Sequence, residues 1–66
     1  MLDRSGFYKI EMGPFEYGSN SDDPINEAYE MANKFYEPGR EITVWVYINE
    51  WGDNEMVLLP YAGPLN

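Results

Sequence analysis

The residues Glu41-Ile42-Thr43-Val44-Trp45-Val46-Tyr47-Ile48-Asn49 alternate without interruption between two chemistries. Ile42, Val44, Val46 and Ile48 share one face of an extended chain, and Thr43, Trp45, Tyr47 and Asn49 share the other. Successive strand side chains point to opposite sides, so this period of two in β-branched and aromatic residues specifies a strand with one face in a core. The second face is too aromatic for ordinary wet surface and too polar for a second core. Any fold available to the chain must bury the first face and find a use for the second.

At 66 residues the chain reads as one small domain spanning residues 1–66. That is near the lower limit at which a single core buries enough surface to fold unaided. There is no cysteine, which excludes disulfide staples and thiolate metal sites, and no histidine, which removes the usual zinc ligand and general base. Twelve acidic residues against four basic ones give a formal net charge of −8. Phosphate backbones and anionic membranes repel such a chain, and a basic protein surface attracts it, although the same charge also serves solubility. The N-terminal residues lack the apolar run of a signal peptide, and no stretch approaches the length of a bilayer span. The expectation is a soluble, cytoplasmic protein.

Residues 6–12 read as a first strand, with Tyr8, Ile10 and Met12 on one face and Phe7, Lys9 and Glu11 on the other. Gly13-Pro14 breaks it. Phe15-Glu16-Tyr17 suits either a short returning strand or an extended loop packing two rings on the core, and Gly18-Ser19-Asn20-Ser21 reads as a polar loop. Asp22-Asp23-Pro24 marks a helix start, with Asp23 as the capping side chain and proline at the first helical position. Ile25, Ala28, Tyr29, Ala32, Phe35 and Tyr36 then form one amphipathic stripe, opposite Glu27, Glu30, Lys34 and Glu37, until Pro38-Gly39 ends the helix. Glu30 and Lys34 stand four apart in the favourable order for an ion pair. After the alternating strand comes a turn-rich loop from Glu50 to Glu55 and a last strand over residues 56–61, with Pro60 placing it at a sheet edge. Residues 62–66 read as a loosely held tail. The expected fold is α+β in two layers, with the order β-(β)-α-β-β. A single helix packs on one face of a three- or four-stranded, mostly antiparallel sheet, and the last two strands form a hairpin.

Catalytic chemistry is poorly supplied. Ser5, Ser19 and Ser21 have no histidine base, the glycines are scattered singly rather than gathered into a phosphate loop, and no substrate cleft is expected in so small a two-layer domain. The chain is therefore read as a non-enzyme without cofactor or metal. Asn20, Asp22 and Asp23, or Asp53, Asn54 and Glu55, offer hard oxygens for calcium, but neither set has the EF-hand spacing, and a helix cap and a hairpin turn explain them.

Binding is better supplied. One helix covers one side of a sheet, which leaves the side bearing Trp45 and Tyr47 open, with Trp51 in the adjoining loop and Tyr61 expected on the neighbouring strand. Tryptophan and tyrosine are enriched at binding hot spots. Carboxylates distributed along a small rigid body imitate the phosphate array of a nucleic acid. The sequence thus suggests Trp45, Tyr47 and Trp51 as apolar anchors and Glu27, Glu30, Glu37, Asp53 and Glu55 as the charge complement to a basic protein surface, with no direct binding of nucleic acid or membrane. Two plainer readings stand beside it: the rings pack under Phe15, Tyr17 or the tail, or they close a homodimer face to face.

From Glu27 the chain runs Glu27-Ala28-x-Glu30-x-Ala32-x-x-x-Tyr36-x-Pro38-Gly39-x-Glu41-Ile42-Thr43. This resembles the helix-to-strand passage of the small host RNA polymerase inhibitor made by T7-like phages, and it covers about a quarter of the chain. The resemblance implies a small acidic domain with one helix across a three-stranded sheet, and an inhibitor of a host nucleic-acid enzyme. The family uses arginines for its contacts in the strand where Trp45, Val46 and Tyr47 stand here, and it has one more residue between proline and glycine. Size, acidity and layout are similar as well to several anti-CRISPR and other anti-restriction proteins. The expected function is accordingly that of a phage-encoded inhibitor or nucleic-acid mimic acting in the host cytoplasm.

Overall fold

A computed structural model describes residues 4–53 and 55–64. Strand β1 (Gly6–Met12) is followed by β2 (Phe15–Ser21), helix α1 (Pro24–Phe35), β3 (Thr43–Ile48), a 3-10 turn (Asn49–Trp51) and β4 (Val57–Leu59). The strands form one antiparallel sheet in the order β2-β1-β3-β4, with α1 packed across one side. This is the expected α+β fold in its four-stranded form.

The two-residue turn Gly13-Pro14 settles the second strand. Gly13 takes φ +62°, and proline fixes the next φ negative, the combination of a type II′ hairpin turn. Pairing then runs without a break from Met12 opposite Phe15 to Gly6 opposite Ser21. The stretch Gly18-Ser19-Asn20-Ser21, which reads as a loop from its composition, is therefore strand. The hairpin register imposes this conformation on residues of low strand propensity. Gly18 has a steric part in it, since a Cβ there would stand 2.8 Å from Phe7 Cζ.

Tyr8, Ile10, Val44, Val46 and Ile48 line the helix side of the sheet and meet Ala28 and Ala32, with Ile42 completing the buried cluster. Met12, Met31, Phe35, Leu59 and Tyr61 pack around its margin. The helical stripe is rotated from the one its large residues suggest. Pro24, Ala28 and Ala32 are its buried residues, Ile25 is exposed, and Tyr36 lies beyond the helix as its C-terminal cap. Alanines let the helix approach the sheet closely, so the rings of Tyr29 and Tyr36 are displaced to its flank.

The helix ends also differ from expectation in their bonding. Asp23 precedes Pro24 as the N-cap residue but makes no capping hydrogen bond; its Oδ2 accepts from Asn26 Nδ2 at 2.6 Å. Ser21 organises this end instead, accepting the Asp23 N–H and donating to Glu27 Oε1, each at 3.0 Å. At the other end Arg40 donates to the Phe35 carbonyl at 2.7 Å and pairs with Glu37 at 3.1 Å, placing a cation at the negative end of the helix dipole. Among the described residues this is the ion pair; Glu30 and Lys34 form none.

The last strand is shorter than residues 56–61, because Pro60 ends the pairing with β3. The chain then crosses to the flank of α1. Tyr29 Oη donates to the Pro60 carbonyl at 3.0 Å, and Tyr61 Oη donates to Asn33 Oδ1 at 2.8 Å. Gly63 lies against the Tyr36 ring, so close that a Cβ would stand 3.0 Å from it. Of the expected tail, residues 65 and 66 lie outside the described residues. Among the described residues no helix is long and apolar enough to cross a membrane.

Candidate binding face

The pairing registers define the side of the sheet that α1 does not cover. Phe7 stands opposite Tyr47, Lys9 opposite Trp45 and Glu11 opposite Thr43, while Trp45 is also opposite Leu58. From β2 come Glu16, Gly18 and Asn20. Trp45 and Tyr47 thus fall where the alternation of β3 places them, on the uncovered side, and both are half-buried among their neighbours.

Two contacts fix these rings. Trp45 Nε1 donates to Glu11 Oε1 at 2.6 Å, a charge-assisted bond between strands that holds the indole in one orientation. Tyr47 meets Trp51 edge to face, with ring centroids 6.1 Å apart and planes at 85°. That geometry suits the aromatic quadrupoles. The 3-10 turn places Trp51 there, and Gly52 leaves the turn at φ +76°. Trp51 and Leu58 remain exposed. The three aromatic anchors suggested by the sequence therefore form one group, joined by Phe7, Glu11 and Leu58. Those three were findable only in part: the alternation puts Phe7 and Glu11 on the outer face of β1, but nothing in the sequence states that β1 lies beside β3.

Tyr61 belongs elsewhere. The sequence groups it with Trp45 and Tyr47 as part of the neighbouring strand, whereas the strand stops at Leu59 and Tyr61, in phase with Leu59 rather than Leu58, packs on the helix flank, 6.2 Å from the Tyr29 ring. Burial first, and then the neighbouring Tyr36 phenol, push the Tyr61 phenol up from its usual pKa.

The five carboxylates divide between the two sides of the molecule. Glu30 is exposed on the outer surface of α1, and Glu37 follows the helix in its pair with Arg40. Glu27 is half-buried toward β2 and bonded to Ser21. Near it the Tyr8 hydroxyl is buried without a hydrogen-bond partner. Burial, and secondarily the Glu27 carboxylate, raise the Tyr8 phenol well above its ordinary pKa. Asp53 and Glu55 lie exposed in the β3–β4 loop beyond Trp51, where Asp53 Oδ1 accepts the Glu55 N–H at 3.1 Å. The structure thus brings Asp53 and Glu55 into the same loop as Trp51, and it places the helix carboxylates on the opposite layer. For the calcium readings, no group of three or more acidic side chains among the described residues is arranged to hold a metal, and Asn54 lies outside them.

One asymmetry reinforces this division. The four basic residues are Arg4, Lys9, Lys34 and Arg40. From Glu41 onward the chain carries Glu41, Glu50, Asp53 and Glu55 and no lysine or arginine. The same half supplies Trp45, Tyr47, Trp51 and Leu58. No family model matches the chain, no curated protein is significantly similar to it, and no solved structure matches its fold.

Proposed function

We propose that this chain is an acidic binding protein that docks its uncovered sheet face on a basic surface of another protein. The observation that carries the reading is the coincidence on and beside that face of fixed aromatic side chains with Glu11, Glu16, Asp53 and Glu55, against Lys9 as the basic residue among them. Aromatic anchors supply affinity that survives salt, and the surrounding carboxylates steer encounter and select for a basic partner. Trp45, Tyr47 and Trp51 are the anchors, and Asp53 and Glu55 the adjacent charge. Glu30 and Glu37 add to the long-range field from the helix layer, and Glu27 is spent internally on Ser21.

The partner class that fits is a nucleic-acid-binding enzyme, whose basic groove a compact polyanion occupies in place of phosphates. The resemblance of residues 27–43 to the polymerase inhibitor of T7-like phages supports a phage-encoded inhibitor working in a host cytoplasm. The anti-CRISPR and anti-restriction layouts support the same class.

The test is capture from bacterial lysate by the immobilised chain at low and high salt, beside a folded Trp45→Ala, Tyr47→Ala double variant. A nucleic-acid-binding protein should be retained by the parent, lost by the double variant and displaced by added DNA. Identical capture by parent and double variant overturns the assignment. Light scattering separates the homodimer reading, which requires a doubled mass at micromolar concentration.

A further inference from the structure

We propose that the partner contributes an extended basic segment that adds as a fifth strand along the free edge of β4, beside the aromatic face. This rests on the reading of that face as a docking surface and specifies how the surface is completed.

The sheet has two edges, and they differ in kind. β2 exposes Phe15 and Tyr17 at its turn end, beside the charged Glu16, and continues as Gly18, Ser19, Asn20 and Ser21, so its apolar surface is confined to one end of the edge. β4 is Val57-Leu58-Leu59, short and closed by Pro60, but it carries no charged side chain or bulge along its three residues. Val57 is 45% exposed and Leu58 55%, although they point to opposite sides of the sheet. Neither layer covers this edge. Among the described residues no backbone group bonds to the outer side of β4, and the segment after Pro60 turns away to the flank of α1. Where β4 parts from β3, a depression of about 390 Å³ lined by Ile42, Thr43, Leu58, Leu59, Pro60 and Tyr61 offers a seat for a side chain of the added strand.

Charge selects the occupant. A second copy would bring Glu41, Glu50, Asp53 and Glu55 against the same four residues, and like charges at short range oppose such pairing. A lysine- or arginine-bearing segment meets these carboxylates with the opposite sign. Main-chain hydrogen bonds would provide affinity, Val57 and Leu58 apolar burial on the two sides, and the flanking acids selectivity for basic sequences.

The test uses a blocked hexapeptide of alternating lysine and valine, and the same peptide with alternate backbone nitrogens methylated. Binding is followed by amide hydrogen exchange and by the ring signals of Trp45, Tyr47 and Trp51. By the antiparallel alternation the Val57 and Leu59 N–H groups face β3, so the parent peptide should slow exchange of the outward Leu58 N–H, and methylation should weaken binding by about tenfold as the bond to the Leu58 carbonyl is lost. Equal binding of the two peptides overturns the proposal. Ring shifts without protection of β4 overturn the strand addition and leave the docking face standing, whereas no response at either place overturns both. Protection of Leu58 that grows with protein concentration without peptide assigns the edge to a second copy, and overturns the proposal too.

Discussion

Replacing Gly6 by alanine tests the closest backbone approach in the sheet. Gly6 is buried opposite Ile48, and a methyl group there would stand 1.9 Å from the Tyr47 carbonyl oxygen and 2.9 Å from Ile48 Cα. Both obstacles are backbone, so no side-chain rotation relieves them. Carbon–oxygen contacts settle near ~3.3 Å, so the ends of β1 and β3 must part by roughly 1.4 Å. That opens the bond from Asn49 N–H to the Ser5 carbonyl on one side of the Gly6–Ile48 pair and, by the antiparallel alternation, the nearer bond of the Phe7–Tyr47 pair on the other. Two backbone bonds lost in a partly buried setting remove about 2–3 kcal/mol. Alanine returns about 0.5–1 kcal/mol by restricting the unfolded chain. The net loss is about 2 kcal/mol, against a total stability on the order of 3–10 kcal/mol for a domain of this length. With a urea m-value of about 1 kcal/mol/M, the unfolding midpoint should fall by about 2 M. Gly39→Ala is the control: φ is +85° and nothing lies within 4 Å of the added methyl, so it should cost about 1 kcal/mol through conformation alone. An unchanged midpoint for Gly6→Ala, or a smaller drop than for Gly39→Ala, would refute the steric argument.

Glu11→Ala removes the acceptor of the Trp45 indole and should destabilise by about 1.5–3 kcal/mol, with a red-shifted tryptophan emission, while Glu11→Gln keeps an acceptor and should lose less. Tyr8→Phe deletes a buried hydroxyl that has no partner, so urea titration should show equal or greater stability, by up to about 1 kcal/mol; a clear loss would mean that the hydroxyl is satisfied. The raised phenol pKa values of Tyr8 and Tyr61 set the alkaline limit. The unfolded phenols ionise near their ordinary 10.0 and the folded ones at higher pH, so the stability they contribute is full below pH 10 and is lost progressively above it, Tyr8 carrying the larger share. Tyr8→Phe should flatten that decline, as followed by circular dichroism and tyrosinate absorbance. Ser21→Ala, which removes the acceptor of the Asp23 N–H and the donor to Glu27, should cost about 1 kcal/mol in the same urea assay.

What was legible in the sequence follows from which residues carry local signals. The alternation of residues 42–48 announces β3 because period-two patterning and β-branching agree, and Pro24 marks the helix start for reasons internal to the first turn. β2 was less legible, since Gly18, Ser19 and Asn20 have loop chemistry and become strand only because the Gly13-Pro14 turn imposes its register from outside. The rotated helix stripe has a similar origin. Hydrophobicity weights Ile25, Tyr29 and Tyr36, whereas packing selects the small Ala28 and Ala32 that let two layers approach. Trp45 and Tyr47 were legible as members of an uncovered face, while their fixation by Glu11 and Trp51 depends on pairing between distant segments, which periodicity within one segment cannot express.

That fixation bears on how the uncovered face would work as an anchor. A tryptophan standing free on a sheet loses rotamer freedom and must desolvate its N–H when a partner arrives, both of which subtract from affinity. Here Glu11 already satisfies the indole N–H, and the edge-to-face contact with Trp51 already orients Tyr47. The apolar ring surface is therefore presented with most of those costs met by folding. A consequence separates affinity from mere exposure. Glu11→Ala leaves every ring in the chain, removes the indole's acceptor and removes a negative charge from the face, so under a purely electrostatic account it weakens capture only as much as any single charge change, such as Glu16→Ala on the same face. If preorganisation of Trp45 matters, folded Glu11→Ala should weaken binding more than Glu16→Ala does, and the excess should persist at high salt, where the loss of charge is screened. Equal effects of the two substitutions at both salt concentrations would show that the Glu11–Trp45 bond serves the fold alone.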